Sequence, residues 1–224
     1  MLNPGLDEGC DLKIVGIGGA GSNIVSYMLS REIPGAQFIV MNTDAASLEA
    51  NPCQNKVLMG HGNLEKGPLL GRQSVLKSQD CVVDAIFDAR LVIFIAGMGG
   101  NTDTSALPLL AEMAKEMDIF VVCMVTMPLA FEDKRRRERA QEGVESLKKI
   151  ADNVVVFQNN DFLKGLSSNT SIADAFEKAK DALFQGAHYI SGLLDSDTSD
   201  MDEEDFQYIR HYIKNHDFPF GRVL

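Results

Sequence analysis

The stretch Gly16-Ile17-Gly18-Gly19-Ala20-Gly21-Ser22-Asn23 decides the fold. It follows a short apolar run, Leu12 to Val15, and opens a helical pattern over Ser22 to Arg31. A glycine-rich turn between strand and helix brings backbone N–H groups to an anion with no Cβ in the way. The positive end of the helix dipole favours negative charge at the same place. A second such turn, Gly97-Met98-Gly99-Gly100-Asn101-Thr102-Asp103-Thr104, follows the apolar run Leu91 to Ala96 and opens another helical pattern. Two turns of this kind on one sheet carry two sets of amides to one crevice, which suits a triphosphate.

Working outward, strand-like runs occupy Leu12 to Val15, Phe38 to Met41, Lys56 to Met59, Leu91 to Ala96, Ile119 to Thr126 and Asn153 to Phe157. Most are apolar on both faces, the mark of a parallel sheet covered on both sides. Helical patterns fall between them, at Ser22 to Arg31, Ala45 to Ala50, Arg72 to Asp88, Thr104 to Met117, Lys134 to Ile150 and Ile172 to Leu194. The alternation predicts an α/β fold, a doubly wound and mostly parallel sheet with helices on both faces and ligands at the carboxyl ends of the strands.

At 224 residues the chain is long enough to bury a sizeable core without staples. Its net charge of -11 argues against a nucleic-acid partner, because nothing offsets phosphate repulsion. Cys10, Cys53, Cys81 and Cys123 are far apart and lack histidines at ligand spacing, which suggests neither disulfides nor a zinc site and fits a reduced cytoplasmic setting. No apolar run reaches the roughly 18 residues a membrane helix needs. After Leu194 the acids Asp195, Asp197, Asp200, Asp202, Glu203, Glu204 and Asp205 crowd a loop that joins a last amphipathic segment, Phe206 to Ile213.

Gly16, Gly18 and Gly21 satisfy a dinucleotide fingerprint, and Asp44 follows the second strand where a ribose-binding acid is expected. Taken alone this motif suggests an NAD-binding oxidoreductase. That reading lacks a catalytic set, since His61, His188, His211 and His216 pair with no Lys or Tyr at a reactive spacing.

A wider set of motifs follows in order: Gly18 to Asn23, Asn42-Thr43-Asp44, Ala96 to Thr104, Val125-Thr126-Met127-Pro128 with Phe131-Glu132, and Asn160-Asp161. In order and spacing this set resembles the FtsZ/tubulin GTPases over Leu12 to Leu194. The resemblance implies GTP or GDP as ligand, with Mg2+ accompanying the nucleotide and not held by protein side chains alone. Gly18, Gly19, Ala20 and Gly21, with Gly99, Gly100, Asn101, Thr102, Asp103 and Thr104, would lie at the phosphates, where the threonines add hydroxyl donors. Glu132 and Arg136 match positions for ribose and phosphate contacts, near Pro128. Asn23 and Asn160 match base-reading asparagines, and Phe176 the aromatic beside the base. Asn42 and Asp44 join the site from the second strand. Gly60 and Gly62, flanking His61, come from the loop after the third strand, which senses the γ-phosphate in that family.

The departures are as informative. Asn101, Asp103 and Ser105 stand where the family's second phosphate loop has glycines, and Asp103 brings a carboxylate toward the phosphates, either weakening them or recruiting a bridging metal. Lys180 stands where the family has an acceptor for guanine, with Asp181 beside it as a substitute. The family completes its active site with acids from a neighbouring subunit. Asp205 matches the first of these, with Glu204 adjacent, but Tyr208 falls at the second, and a phenol orients water poorly. Hydrolysis is therefore expected to be weak or absent.

The resulting division is 1–11 as a flexible N-terminal segment, 12–194 as an FtsZ/tubulin-like GTPase domain with a long core helix, and 195–224 as acidic loop and terminal helix, with no second domain. The expected function is a nucleotide-binding protein that self-assembles head to tail into filaments as a cytoskeletal, cell-division or membrane-remodelling scaffold. Its expected partners are itself, a membrane adaptor or a full-length FtsZ. The alternatives are the NAD oxidoreductase and a degenerate regulator that caps the filaments of a full-length relative.

Overall fold

A computed structural model describes residues 11–60, 70–163, 171–194, 203–216, 218 and 221–224. The expectations for residues 1–10, for His61 and Gly62, and for the acidic stretch 195–202 lie outside the described residues. Seven strands form one sheet in the order β3-β2-β1-β4-β5-β6-β7. They are β1 (Leu12–Ile17), β2 (Ala36–Asn42), β3 (Asn55–Leu58), β4 (Leu91–Gly97), β5 (Phe120–Met127), β6 (Asn153–Gln158) and β7 (Gly221–Val223). All neighbours pair in parallel except β7, which runs antiparallel to β6. The doubly wound α/β class read from the apolar runs is the architecture found.

Period-two alternation sends successive side chains to opposite faces, and each face has its own core. Val15 and Ile17 of β1 join Val92, Phe94 and Ala96 of β4 on one side. There they meet α3 (Leu70–Lys77), α4 (Gln79–Ile86), α5 (Asp103–Glu116) and α6 (Lys134–Leu147). Leu12 and Ile14 join Leu91, Ile93 and Ile95 on the other side. That face is covered by α1 (Gly18–Leu29), α2 (Ala45–Glu49), α7 (Asn159–Leu163), α8 (Ile172–Leu193) and α9 (Glu203–Asn215).

Three local outcomes differ from the pattern reading. The single helix expected over Arg72 to Asp88 is broken at Ser78, whose Oγ accepts from the Gly60 N–H at 2.8 Å and so ties the break to the end of β3. Helix α1 starts at Gly18, four residues before the apolar period announces it, so the first glycine turn is the helix's own first turn. Helix α7 and strand β7 are too short to carry a period in the sequence.

The last helix packs on its own domain. Ile209 and Ile213 are buried, and Phe206 stacks on Phe120 with ring centroids 5.4 Å apart. Tyr208 and Tyr212 stay exposed on the outer side.

Candidate functional site

Strands β1 and β4 are neighbours in register, with Ile17 opposite Ala96. The turns that follow them therefore emerge side by side at the carboxyl rim of the sheet. Helix α1 is drawn hard onto that rim: a methyl at Gly21 would run into the Ile95 carbonyl oxygen, and one at Gly97 would lie 2.6 Å from the Ala20 Cβ. Gly21 is thus demanded by packing. Gly19 faces open space. Gly18 has φ +65°, which glycine adopts without strain.

A cavity of about 680 Å³ runs along the same rim. Its floor is Ala20, Asn23 and Ile24 of α1 with Gly97 and Met98 after β4. Thr126, Met127, Pro128 and Leu129 continue from β5, followed by Phe131, Glu132 and Arg136. Asn159 closes the end of β6. The far wall is α8, whose Ser171–Asp174 capping box fixes its start and whose Ile172, Phe176, Ala179 and Lys180 share one face at helical spacing. Of the residues singled out in sequence, the cavity brings together Ala20, Asn23, Pro128, Glu132, Arg136, Phe176 and Lys180.

The polar groups at this rim differ in how far they are already engaged. Glu132 accepts from the Leu129 N–H at 2.7 Å and pairs with Arg136 Nε at 3.0 Å. Lys180 Nζ pairs with Glu177 at 2.6 Å. Asp181, the expected substitute acceptor, is absent from the lining and is engaged elsewhere: it accepts from the Tyr27 hydroxyl at 3.2 Å and from Gln185 at 2.8 Å. Burial and the nearby Asp181 charge push the Tyr27 phenol up. Arg136 and Lys180 are the cations of the lining, and each is already paired with a glutamate.

Asparagine 160 is placed differently from the expectation. Its Oδ1 accepts from the Ala130 N–H at 2.9 Å, and Asn160 is absent from the lining. Asn159 lines the cavity instead, and its buried Oδ1 has no hydrogen-bond partner among the described residues. Strand β6 ends at Gln158, so Asn159 is the first residue past the strand's carboxyl end, the position that faces the crevice in this architecture.

Other expected site residues serve the frame. Asn42 is buried, and its Oδ1 accepts from the Thr43 and Asp44 amides at 2.8 and 3.3 Å. Asp44 caps α2, accepting from the Ala46 N–H and the Ser47 hydroxyl, and these bonds hold its carboxyl below the usual range. That structural duty accounts for the acid after the second strand, one of the residues on which the dinucleotide reading drew. Thr104 Oγ1 accepts from the Gly99 N–H at 2.7 Å, Thr102 Oγ1 lies 3.4 Å from Thr43 Oγ1, and the Asn101 carboxamide oxygen accepts from Arg139.

The Asp103 side chain reaches from the second turn to the first. A methyl at Gly18 would collide with its Oδ1 and lie 2.9 Å from its Oδ2, and one at Gly100 would lie 3.3 Å from the same Oδ2. Burial pushes its carboxyl up to about 7, opposed by the Arg136 charge. The α8 end of the cavity thus offers an orphaned amide oxygen, an exposed aromatic ring and the Glu132 carboxylate. The glycine-turn end already holds a carboxyl of the chain's own.

Glu204 and Asp205 stand at the opposite rim. Their helix α9 packs by Phe206 on Phe120, the first residue of β5, and pairs Arg210 with Asp152, just before β6. Both anchor points are amino ends of strands. Tyr208 is likewise exposed there, away from this chain's own cavity.

The family model for the Tubulin/FtsZ family GTPase domain matches residues 11–167. Among solved structures, the chain is similar to an FtsZ dimer, empty, from M. jannaschii, at 29% identity and a TM-score of 0.78, covering 92% of this chain and 61% of that one. It is also similar to CetZ from Methanosaeta thermophila strain DSM 6194, at 18% identity and a TM-score of 0.76, covering 92% of this chain and 60% of that one. CetZ2 from Haloferax volcanii, a GTPγS-bound protofilament, matches at 21% identity and a TM-score of 0.71, covering 85% of this chain and 60% of that one. The two CetZ likenesses bear on the fold alone, and the chain spans about 60% of the length of these relatives. The paired glycine turns, the rim cavity and the match over most of the sequence agree: this chain belongs to the Tubulin/FtsZ family.

Proposed function

We propose that the chain binds a guanine nucleotide in the rim cavity and associates head to tail with copies of itself, as a cytoplasmic scaffold for cell shape, division or membrane remodelling. The observation that carries this reading is one continuous cavity lined by both the α8 face and the ends of the glycine turns. Phe176 would stack on the base, Asn23 and Asn159 would read its edge, and Glu132 would accept from ribose hydroxyls. Arg136 and the amides of the first turn would face phosphate. Bound nucleotide supplies a polyphosphate whose charge Mg2+ can share.

The opposite placement of Glu204 and Asp205 supports assembly in one direction, since these acids reach a nucleotide only on another subunit. The solved relatives include a dimer and a protofilament. Tyr208, in place of a second carboxylate, leaves fewer groups to orient water, so turnover is slow or absent. A membrane adaptor or a full-length relative would recruit such a scaffold.

Heat release of the ligand carried by the purified protein, followed by chromatography, is expected to yield guanosine phosphates. Sedimentation with GTP, GDP and no nucleotide is expected to show nucleotide-dependent pelleting. An empty eluate with monomers under every condition overturns the reading. A second reading, a regulator that caps the filaments of a full-length relative, draws on Asp103 lying in the phosphate cradle. It predicts that substoichiometric amounts of this chain shorten such filaments.

A further inference from the structure

The cavity lining reaches Ala20, Gly97 and Met98 and includes none of Gly18, Gly100 and Asp103, and the Asp103 carboxyl lies against those two glycines. Helix α1 begins at Gly18 behind Ile17, whose side chain makes no cap hydrogen bond, so its first-turn amides have no capping side chain from the N-cap residue. Helix α5 begins at Asp103 itself, and Thr102 before it supplies no side-chain cap either. One carboxyl therefore stands between the positive ends of two long helices, in the place the fold prepares for phosphate.

We propose that Asp103 is the specificity-determining residue of the phosphate end, its carboxyl standing in for a terminal phosphate, so that the site takes guanosine diphosphate in preference to guanosine triphosphate. This rests on the guanine-nucleotide reading of the cavity. A diphosphate ends near Ala20 and Met98, where the lining is open. A further phosphate enters only by displacing the carboxyl or by meeting it in its neutral form, when its O–H donates to a phosphate oxygen.

Among the described residues, the groups found at the carboxyl come from α1, the second turn and α6. Gly18 on α1 and Gly100 in the second turn present no charge, Asp103 donates its own amide, and Arg136 of α6 supplies the positive charge that acts on it. Because burial holds the carboxyl at about 7, discrimination against the triphosphate weakens below that pH and is complete above it.

The test is calorimetric titration of the full chain with GDP and with GTP at pH 6 and pH 8, for wild type, D103N and D103G, in Mg2+ and again in EDTA. In the wild type at pH 8, GDP is expected to bind at least tenfold more tightly than GTP, and the ratio is expected to shrink several-fold at pH 6. Both variants are expected to bring the ratio near one at either pH by tightening GTP, and D103N serves if D103G does not fold. Equal wild-type affinities at pH 8 overturn the proposal. So does a loss of GTP affinity in the variants that appears in Mg2+ and vanishes in EDTA, which makes Asp103 a metal ligand. If folded wild type and variants bind no guanine nucleotide, the functional reading itself fails and takes this inference with it; binding with an unchanged ratio removes this inference alone.

Discussion

The two ends of the cavity are built on opposite plans. At the α8 end the chain leaves groups open: Phe176 is 43% exposed, Asn23 is exposed, and the Asn159 Oδ1 is buried without a partner. At the glycine-turn end it fills the prepared place itself, with Asp103 against Gly18. An open end gains by binding something, whereas a self-filled end gains only if the incoming group outcompetes a tethered one already there. The contrast separates residues that serve a ligand from residues that serve the fold, and substitutions can probe it in decreasing order of effect.

Removing the internal anion breaks the contrast most strongly. The folded-state carboxyl titrates near 7 in place of 3.8, so as pH rises the unfolded chain ionises first and stability is lost from about pH 4 to about pH 7. D103N escapes that loss. It is expected to be more stable than wild type by about 4 kcal/mol above pH 7, with the advantage vanishing toward pH 4. Urea unfolding on both sides of neutrality measures this, and parallel pH profiles for the two proteins would show that the carboxyl is not held in its acid form.

Next come the glycines of the first turn, which share a motif and divide by duty. G21A drives a methyl at the Ile95 carbonyl and is expected to cost about 3 kcal/mol as α1 lifts from the sheet. A thermal melt within a degree of wild type would contradict so close an approach. At the open end, F176A is expected to weaken nucleotide binding about tenfold while changing stability by less than about 1 kcal/mol, because the residue is already 43% exposed. Fluorescent-nucleotide titration beside denaturant unfolding separates the two. G19A meets open space and is expected to hold or raise stability by a few tenths of a kcal/mol, so any loss of affinity reports on the cradle alone. The smallest effect on folding belongs to the far rim, where Tyr208 and Tyr212 are exposed with ring centroids 4.2 Å apart. Replacing both by alanine is expected to leave stability within about 0.5 kcal/mol while reducing pelleting, and unchanged pelleting would remove α9 from the assembly contact.

Much of the frame was legible because its signals are local. Apolar runs such as Leu91 to Ala96 exceed what a half-buried strand shows, and they became β4, buried along its whole length. The glycine turns were legible because few residues other than glycine permit such approaches. What stayed hidden depends on neighbours distant in sequence. Asn159 and Asn160 are adjacent and chemically identical, and only the point where β6 ends decides which faces the cavity. Asp44 and Asp181 looked available to a ligand, yet one caps a helix and the other holds Tyr27, 154 residues away in the chain. The break at Ser78 was hidden for the same reason, since it is held by the backbone at the end of β3.

By itself, then, the sequence determined the class of the fold, the order of its layers and the presence of two glycine-rich turns, because periodicity and glycine placement act over a few residues. Tertiary structure alone decided that the turns meet at one rim, that Asp103 of the second turn lies against Gly18 of the first, and that the acids of α9 lie at the other rim. Those outcomes depend on strand order and register, which bring together atoms that no local pattern relates.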